Sequence, residues 1–193
     1  MDVIEAIKSR RAVRAWTDED VDENTVNQVL EAGRWSPSPL NSQPWHFTIV
    51  RNKETIEAMC ADAKEGAFLK NAKVVIVVSV ERKLVSEADS QNEERMKLID
   101  WLAEHEQYTY SAAMALHNMW LTAWSIGIGA CCVTVERSST YQLTGIPQEQ
   151  EIIASLALGH ILGNPIPHRD QDRKPLSEIV FYEKYGNKGE SNQ

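Results

Sequence analysis

The chain has no run of lysine and arginine long enough to track a nucleic acid backbone. Its 20 basic residues are outnumbered by 28 acidic ones, for a net charge of −8. The electrostatic footprint of a DNA or RNA binder is missing, so nucleic acid is excluded as a partner. Cysteine is scarce: Cys60 and the adjacent Cys131 and Cys132 make three, with no C-x-x-C. Such a set builds neither a disulfide framework nor a zinc site, and it points to a reducing compartment. The five histidines, His46, His105, His117, His160 and His168, show no H-x-x-x-H or H-E-x-x-H spacing, so no metal is expected. His117 reads as a satisfied core histidine. Met1 leads into Asp2 and Glu5 rather than a basic stretch and an apolar leader, which makes the cytoplasm the expected location.

Residues 107 to 135 lack Asp, Glu, Lys and Arg altogether, a length sufficient to span a bilayer. Gln107, Thr109, Ser111, His117 and Asn118 interrupt that run, and Gly127-Ile128-Gly129 breaks it. It therefore reads as a buried helix, a turn and a strand, and no membrane partner is expected.

With 193 residues, 42% of them hydrophobic, there is enough chain for one core and an appended arm. Asp2 caps a first helix carrying Val3, Ile4 and Ile7 on one face, which ends near Arg11. A second helix follows the acidic stretch 18 to 23, with Val26, Val29 and Leu30 inward. Three prolines keep residues 34 to 44 irregular. Strands are expected from Trp45 to Val50, from Lys73 to Val80, from Ala130 to Val135 and from Ile152 to Leu158, with a helix near 54 to 64, a long one at 108 to 126 and a short one near 138 to 143. Residues 81 to 106 are acidic and poor in apolar anchors and read as a mobile or capping insert. Past residue 163 the chain is proline-punctuated, and Ile179 to Tyr182 has strand character. The division is thus a core domain over 1–163, with 81–106 as its insert, and an arm over 164–193 that packs on a partner subunit's sheet edge.

Three groups of residues carry chemical interest. Arg10, Arg11 and Arg14 lie at a helix end, where they are either a solvated terminus or a phosphate clamp, since guanidinium offers paired donors matched to a phosphate. Arg173 and Lys174 are a second cationic pair, at the far end of the chain. Between them in sequence, the proline-rich loop holds Asn41 and Gln43, whose carboxamides both donate to and accept from the edge of a heterocycle. Trp45 beside them reads as core. Cys131 and Cys132 read as buried and structural.

Ser9-Arg10-Arg11-Ala12-Val13-Arg14 and Ser36-Pro37-Ser38-Pro39-Leu40-Asn41-Ser42-Gln43-Pro44-Trp45 resemble the two opening signatures of the nitroreductase family of flavoproteins. Gly127-Ile128-Gly129-Ala130-Cys131-Cys132, Ala157-Leu158-Gly159-His160 and Arg173-Lys174-Pro175-Leu176 resemble its later elements. The resemblance spans most of the chain except 81 to 106. It implies an α+β fold whose central mixed, mainly antiparallel sheet is flanked by helices, with the C-terminal arm extending onto the partner of a homodimer. It also implies FMN at the dimer interface, reduced by NADH or NADPH and reoxidised in ping-pong fashion by a small acceptor such as a nitroaromatic or a quinone. Arg10, Arg11 and Arg14 would bind the FMN, with Arg14 toward the pyrimidine side, and Arg173 with Lys174 would complete the phosphate site. Ser38, Asn41 and Gln43 would come from the partner chain. Backbone groups at Cys132, Val133 and Thr134 would lie beside the ring system. Departures from the family pattern are Ala12 in place of serine, Cys132-Val133-Thr134 in place of Trp-Ile-Gly, and His160 in place of tyrosine. These leave open a non-catalytic flavin sensor or store, or another flavin chemistry such as flavin cleavage, dehalogenation or azoline dehydrogenation.

Overall fold

The computed structural model describes residues 1–61, 67–81, 85–163 and 173–188. In chain order the elements are α1 (Val3–Ser9), α2 (Glu23–Arg34), β1 (Trp45–Val50), α3 (Lys53–Ala61), β2 (Val74–Glu81), α4 (Glu87–Ser90), α5 (Glu93–Glu104), α6 (Gln107–Ser125), β3 (Ile128–Val133), α7 (Arg137–Thr144), β4 (Gln150–His160) and α8 (Leu176–Ile179). Short 3-10 turns cover Pro39–Asn41 and Ala67–Asn71. The helix starts were legible because side chains cap them. Asp2 accepts from the Glu5 amide at 2.8 Å and Asp22 from the Thr25 amide at 3.0 Å, which satisfies first-turn donors that would otherwise lack partners.

The strands form one sheet in the order β1-β2-β4-β3, and all three pairings are antiparallel. The α+β fold with a mainly antiparallel sheet flanked by helices is thus as expected, and among the described residues the pairing is antiparallel throughout. Residues 179–182, expected to have strand character, pair with no strand among the described residues: 176–179 form the single helical turn α8, with the Val180 amide bonded to the Leu176 carbonyl at 2.8 Å. Residues 164–172, where the arm was expected to begin, and Leu84 of the insert lie outside the described residues.

β2 is buried on both faces without being part of a parallel sheet, because each face has its own cover. Val75 and Val77 point into a layer that includes Val13, Trp16, Ile56 and Met59, whereas Val74, Ile76, Val78 and Val80 meet Val26, Val29, Ala112 and Met119 of α2 and α6. The result is a three-layer sandwich with the sheet in the middle. The acidic segment 81–106 is ordered as α4 and α5 where it is described, and Ile99 and Leu102 anchor it by full burial. The long uncharged helix α6 lies against the sheet, and among the described residues no helix is long and apolar enough to cross a membrane.

The segment between α1 and α2 is locked to the sheet rather than draped over it. The Val13 amide donates to the Ala130 carbonyl, the Thr17 amide to the His160 carbonyl, and the Trp16 indole to the Gly129 carbonyl, each at 2.9 Å. Trp16 fits only because β4 has glycine beneath it: a Cβ at Gly159 would lie 2.6 Å from Trp16 Cγ. The pinned indole cannot swing away, so Gly159→Ala is expected to cost about 1–3 kcal/mol by overpacking. Denaturant unfolding checks this, and a loss below roughly 0.5 kcal/mol, within the usual range of surface substitutions, would mean that the ring is free to move.

At the other end of the sheet Glu136 caps α7, accepting from the Ser139 amide and the Ser138 hydroxyl, both at 2.7 Å. Those bonds, the Ser139 amide first, lower the carboxyl pKa from its ordinary 4.5 to about 2. A carboxyl depressed by folding contributes stability above its unfolded value and loses it as pH falls toward the folded one. Thermal melts between pH 5 and about 2 should therefore fall more steeply for the native chain than for Glu136→Gln; parallel curves would remove Glu136 from the acid transition.

Candidate functional site

α1 ends where three cations gather. Its last carbonyls are capped by Arg11, whose Nη1 donates to the carbonyls of Lys8, Ser9 and Arg10 at 2.8–3.0 Å. Arg11 thus takes part in the helix terminus itself. Arg10 turns inward instead, with its guanidinium carbon 4.1 Å from the centre of the Trp120 ring on α6. One turn further along α6, Trp124 donates to Ser9 Oγ at 2.8 Å and fixes the helix end that presents Arg10.

Arg10 Nε is buried and has no hydrogen-bond partner among the described residues. Its guanidinium pKa is pulled below its ordinary value, first by burial and then by repulsion from Arg11 and Arg173. Arginine stays charged regardless, so the cost remains in the fold until an anion relieves it. The fold therefore brings Arg173 within electrostatic reach of Arg10, from which it is separated by more than 160 positions in sequence. Arg14 lies further along the same segment, its guanidinium 5.6 Å from the Phe68 ring, and it acts electrostatically on Cys131. Lys174 is exposed next to Arg173.

Cys132 and Val133 close β3, with Thr134 exposed just beyond. Cys131 is buried, and burial raises its thiol pKa and that of Cys132, so neither carries thiolate character. His117 corrects its expected core position: it is exposed on α6 one turn before Trp120, with its pKa lowered by partial desolvation and then by Arg10.

The proline-rich loop forms a separate group. Ser38 Oγ accepts from the Gln43 amide at 2.9 Å, the Gln43 side chain reaches the Asn41 carbonyl at 3.4 Å, and none of these bonds reaches an arginine of the same chain. Leu40, Asn41 and Gln43 all have positive φ, at 57°, 53° and 47°. For residues with a Cβ this is strained backbone, about 1 kcal/mol or more each, of the kind that surrounding contacts must hold in place. Ser36 at the loop base is tied to α6 by Asn118 Nδ2 at 2.8 Å.

Sequence reasoning missed Trp120, Trp124 and Asn118. Trp120 and Trp124 lie four apart on one face of an uncharged helix, a pattern that serves equally well for plain core packing.

The model of the nitroreductase family matches residues 7–160, and the chain belongs to that family. A Methanothermobacter thermautotrophicus protein, whose name gives a provisional assignment as NADH dehydrogenase/NAD(P)H nitroreductase, is 31% identical over 86% of this chain and 80% of its own length. The Bacillus subtilis FMN reductase that uses NAD(P)H is 22% identical, covering 98% of this chain and 76% of its own. A Desulfovibrio desulfuricans crystal structure, a provisional nitroreductase in complex with FMN, is 28% identical and superposes with a TM-score of 0.72 over 96% of this chain and 98% of that one.

Proposed function

We propose that this protein is an FMN-dependent oxidoreductase that passes electrons from NADH or NADPH to a small oxidised acceptor of the nitroaromatic or quinone class. The observation that carries the reading is Arg10, a half-buried cation whose buried Nε has no partner among the described residues and which Arg11 and Arg173 repel. This is a donor set suited to a phosphate dianion. Membership of the nitroreductase family and the FMN named for two relatives support the same ligand.

In this reading Arg10 and Arg173 take the FMN phosphate, with Lys174 beside them. Arg11 adds positive potential while capping α1, and Arg14 lies toward the pyrimidine edge of the ring. The flavin, when bound, supplies the ability to take up electrons as a pair and pass them on in pairs or singly. The backbone at Cys132, Val133 and Thr134 borders the ring, and the charge of Arg14 favours electron density there. Donor and acceptor use one pocket in turn, which gives ping-pong kinetics.

The loop carrying Ser38, Asn41 and Gln43 serves the flavin of a second subunit. A homodimer is supported by the exposed Val3, Ile4 and Ile7 of α1, and by Trp35, Leu176 and Ile179, apolar side chains that a lone chain leaves in water. The C-terminal segment 164–193 is the part proposed to reach across.

An anaerobic titration of FMN-loaded protein with NADH and then NADPH, followed by visible absorbance, tests the reading. Prompt bleaching by either nucleotide is expected. A bound flavin that stays oxidised with both would overturn the NAD(P)H assignment.

A further inference from the structure

A cavity of about 310 Å³, with none of Arg10, Arg11 or Arg173 in its lining, lies between the proline-rich loop, the start of α4, and the α5–α6 pair. Its apolar wall is Leu40, Val85 and Ile99. Three polar side chains on three different segments also line it, and each keeps donor capacity that no described residue uses. Tyr108, from the first turn of α6, is 2% exposed, and its hydroxyl makes no hydrogen bond among the described residues. Ser42, from the loop, has a buried Oγ with no partner among the described residues. Arg95, from α5, donates through Nε to Asp89 Oδ1 at 2.9 Å, and its two outer nitrogens bond to no described residue.

The acceptors in the cavity, by contrast, are already occupied. Asp89 Oδ1 holds Arg95, and Oδ2 takes the Ser86 hydroxyl at 2.6 Å and the Ser86 amide at 3.3 Å. These bonds, the Ser86 hydroxyl first, hold the Asp89 carboxyl below its ordinary value and keep it ionised. Ser42 Oγ is the buried donor without a partner among the described residues, at a cost of about 1–3 kcal/mol, and the Tyr108 hydroxyl and the half-exposed Arg95 guanidinium add donors beside it, so the cavity favours an occupant that accepts. A carboxylate accepts at two oxygens, matches the outer edge of a guanidinium, and leaves a ring to cover the apolar wall.

We propose that this cavity binds a small aromatic carboxylic acid, with the carboxylate held by the outer nitrogens of Arg95 and the hydroxyls of Tyr108 and Ser42, and the ring against Leu40, Val85 and Ile99. None of these residues belongs to the Arg10, Arg11 and Arg173 cluster, so the site stands whether or not that cluster binds FMN. Leu40 and Ser42 alternate with Asn41 and Gln43, the loop residues proposed above to reach the flavin of a second subunit.

Calorimetric titration of the FMN-saturated protein with benzoate tests the proposal, with benzyl alcohol as the uncharged counterpart and FMN fluorescence recorded in parallel. Benzoate is expected to bind once per chain, more tightly than benzyl alcohol, and without releasing FMN. Arg95→Gln should weaken it about tenfold or more, as expected for loss of a charge-assisted bond. Tyr108→Phe, which keeps the ring and therefore the packing, should weaken it severalfold. If Arg95→Gln disturbs α5 enough to lower the melting temperature, Tyr108→Phe and Ser42→Ala decide the matter. No binding of benzoate, displacement of FMN by it, or unchanged affinity in Tyr108→Phe and Ser42→Ala would each overturn the site, the first by showing that the cavity takes water alone. Should the protein not hold FMN, the same titrations on the chain as isolated give the same decision, which separates failure of this site from failure of the flavin assignment.

Discussion

Arg10→Ala is expected to weaken FMN binding by roughly ten- to hundredfold, the range for a lost charge-assisted bond. The alanine chain should also be no less stable than the native one without ligand. Both expectations come from the same observation: Arg10 is partly desolvated, repelled by two like charges, and has an Nε with no partner among the described residues. A residue kept for packing alone would show the opposite combination, a loss of stability with no loss of ligand. Fluorescence quenching of FMN, with riboflavin as the phosphate-free control, separates the two. The mutation should narrow the gap between FMN and riboflavin. An unchanged FMN affinity would sink the phosphate assignment for this cluster.

Leu156→Ala is expected to destabilise the chain by about 2–5 kcal/mol. Leu156 has no exposed surface, sits in β4 between Ile76 of β2 and Cys132 of β3, and points into the layer formed with α2 and α6. The strand is flanked on both sides and covered on both faces, so little can collapse into the space left behind. Against a typical net stability of about 5–15 kcal/mol the loss is a large fraction of the total. Leu143→Ala, at a residue 40% exposed on α7, should by comparison change stability by less than about 0.5 kcal/mol. Urea unfolding of the two variants checks the contrast, and similar losses would mean that the β4 core is not close-packed.

The elements were legible where local chemistry decides them. Asp2 and the acidic stretch 18–23 announce helix starts, the β-branched run 74–80 announces a central strand, and three prolines announce the loop. The sequence was silent where a partner decides. Val3, Ile4 and Ile7 look like a core face and are exposed, and residues 179–182 look like a strand although 176–179 close as a helical turn. Strand character needs a neighbour to bond to, and the described chain offers it none. The arginines were recognisable as a motif, but Trp120 beneath Arg10 was not, because a tryptophan on an apolar helix reads the same whether it carries a cation or fills a core. Nor could charge pattern show that Arg173 returns to Arg10.

The bonds that tie the Val13 and Thr17 amides to the carbonyls of Ala130 and His160 give the arginine segment the lifetime of the sheet. Those two amides should exchange with solvent hydrogen only as slowly as the β3–β4 core opens, even though a loop between two helices would normally exchange within seconds or less. The segment carrying Arg10, Arg11 and Arg14 therefore has no local melting mode of its own, and losing it and losing the sheet are a single event.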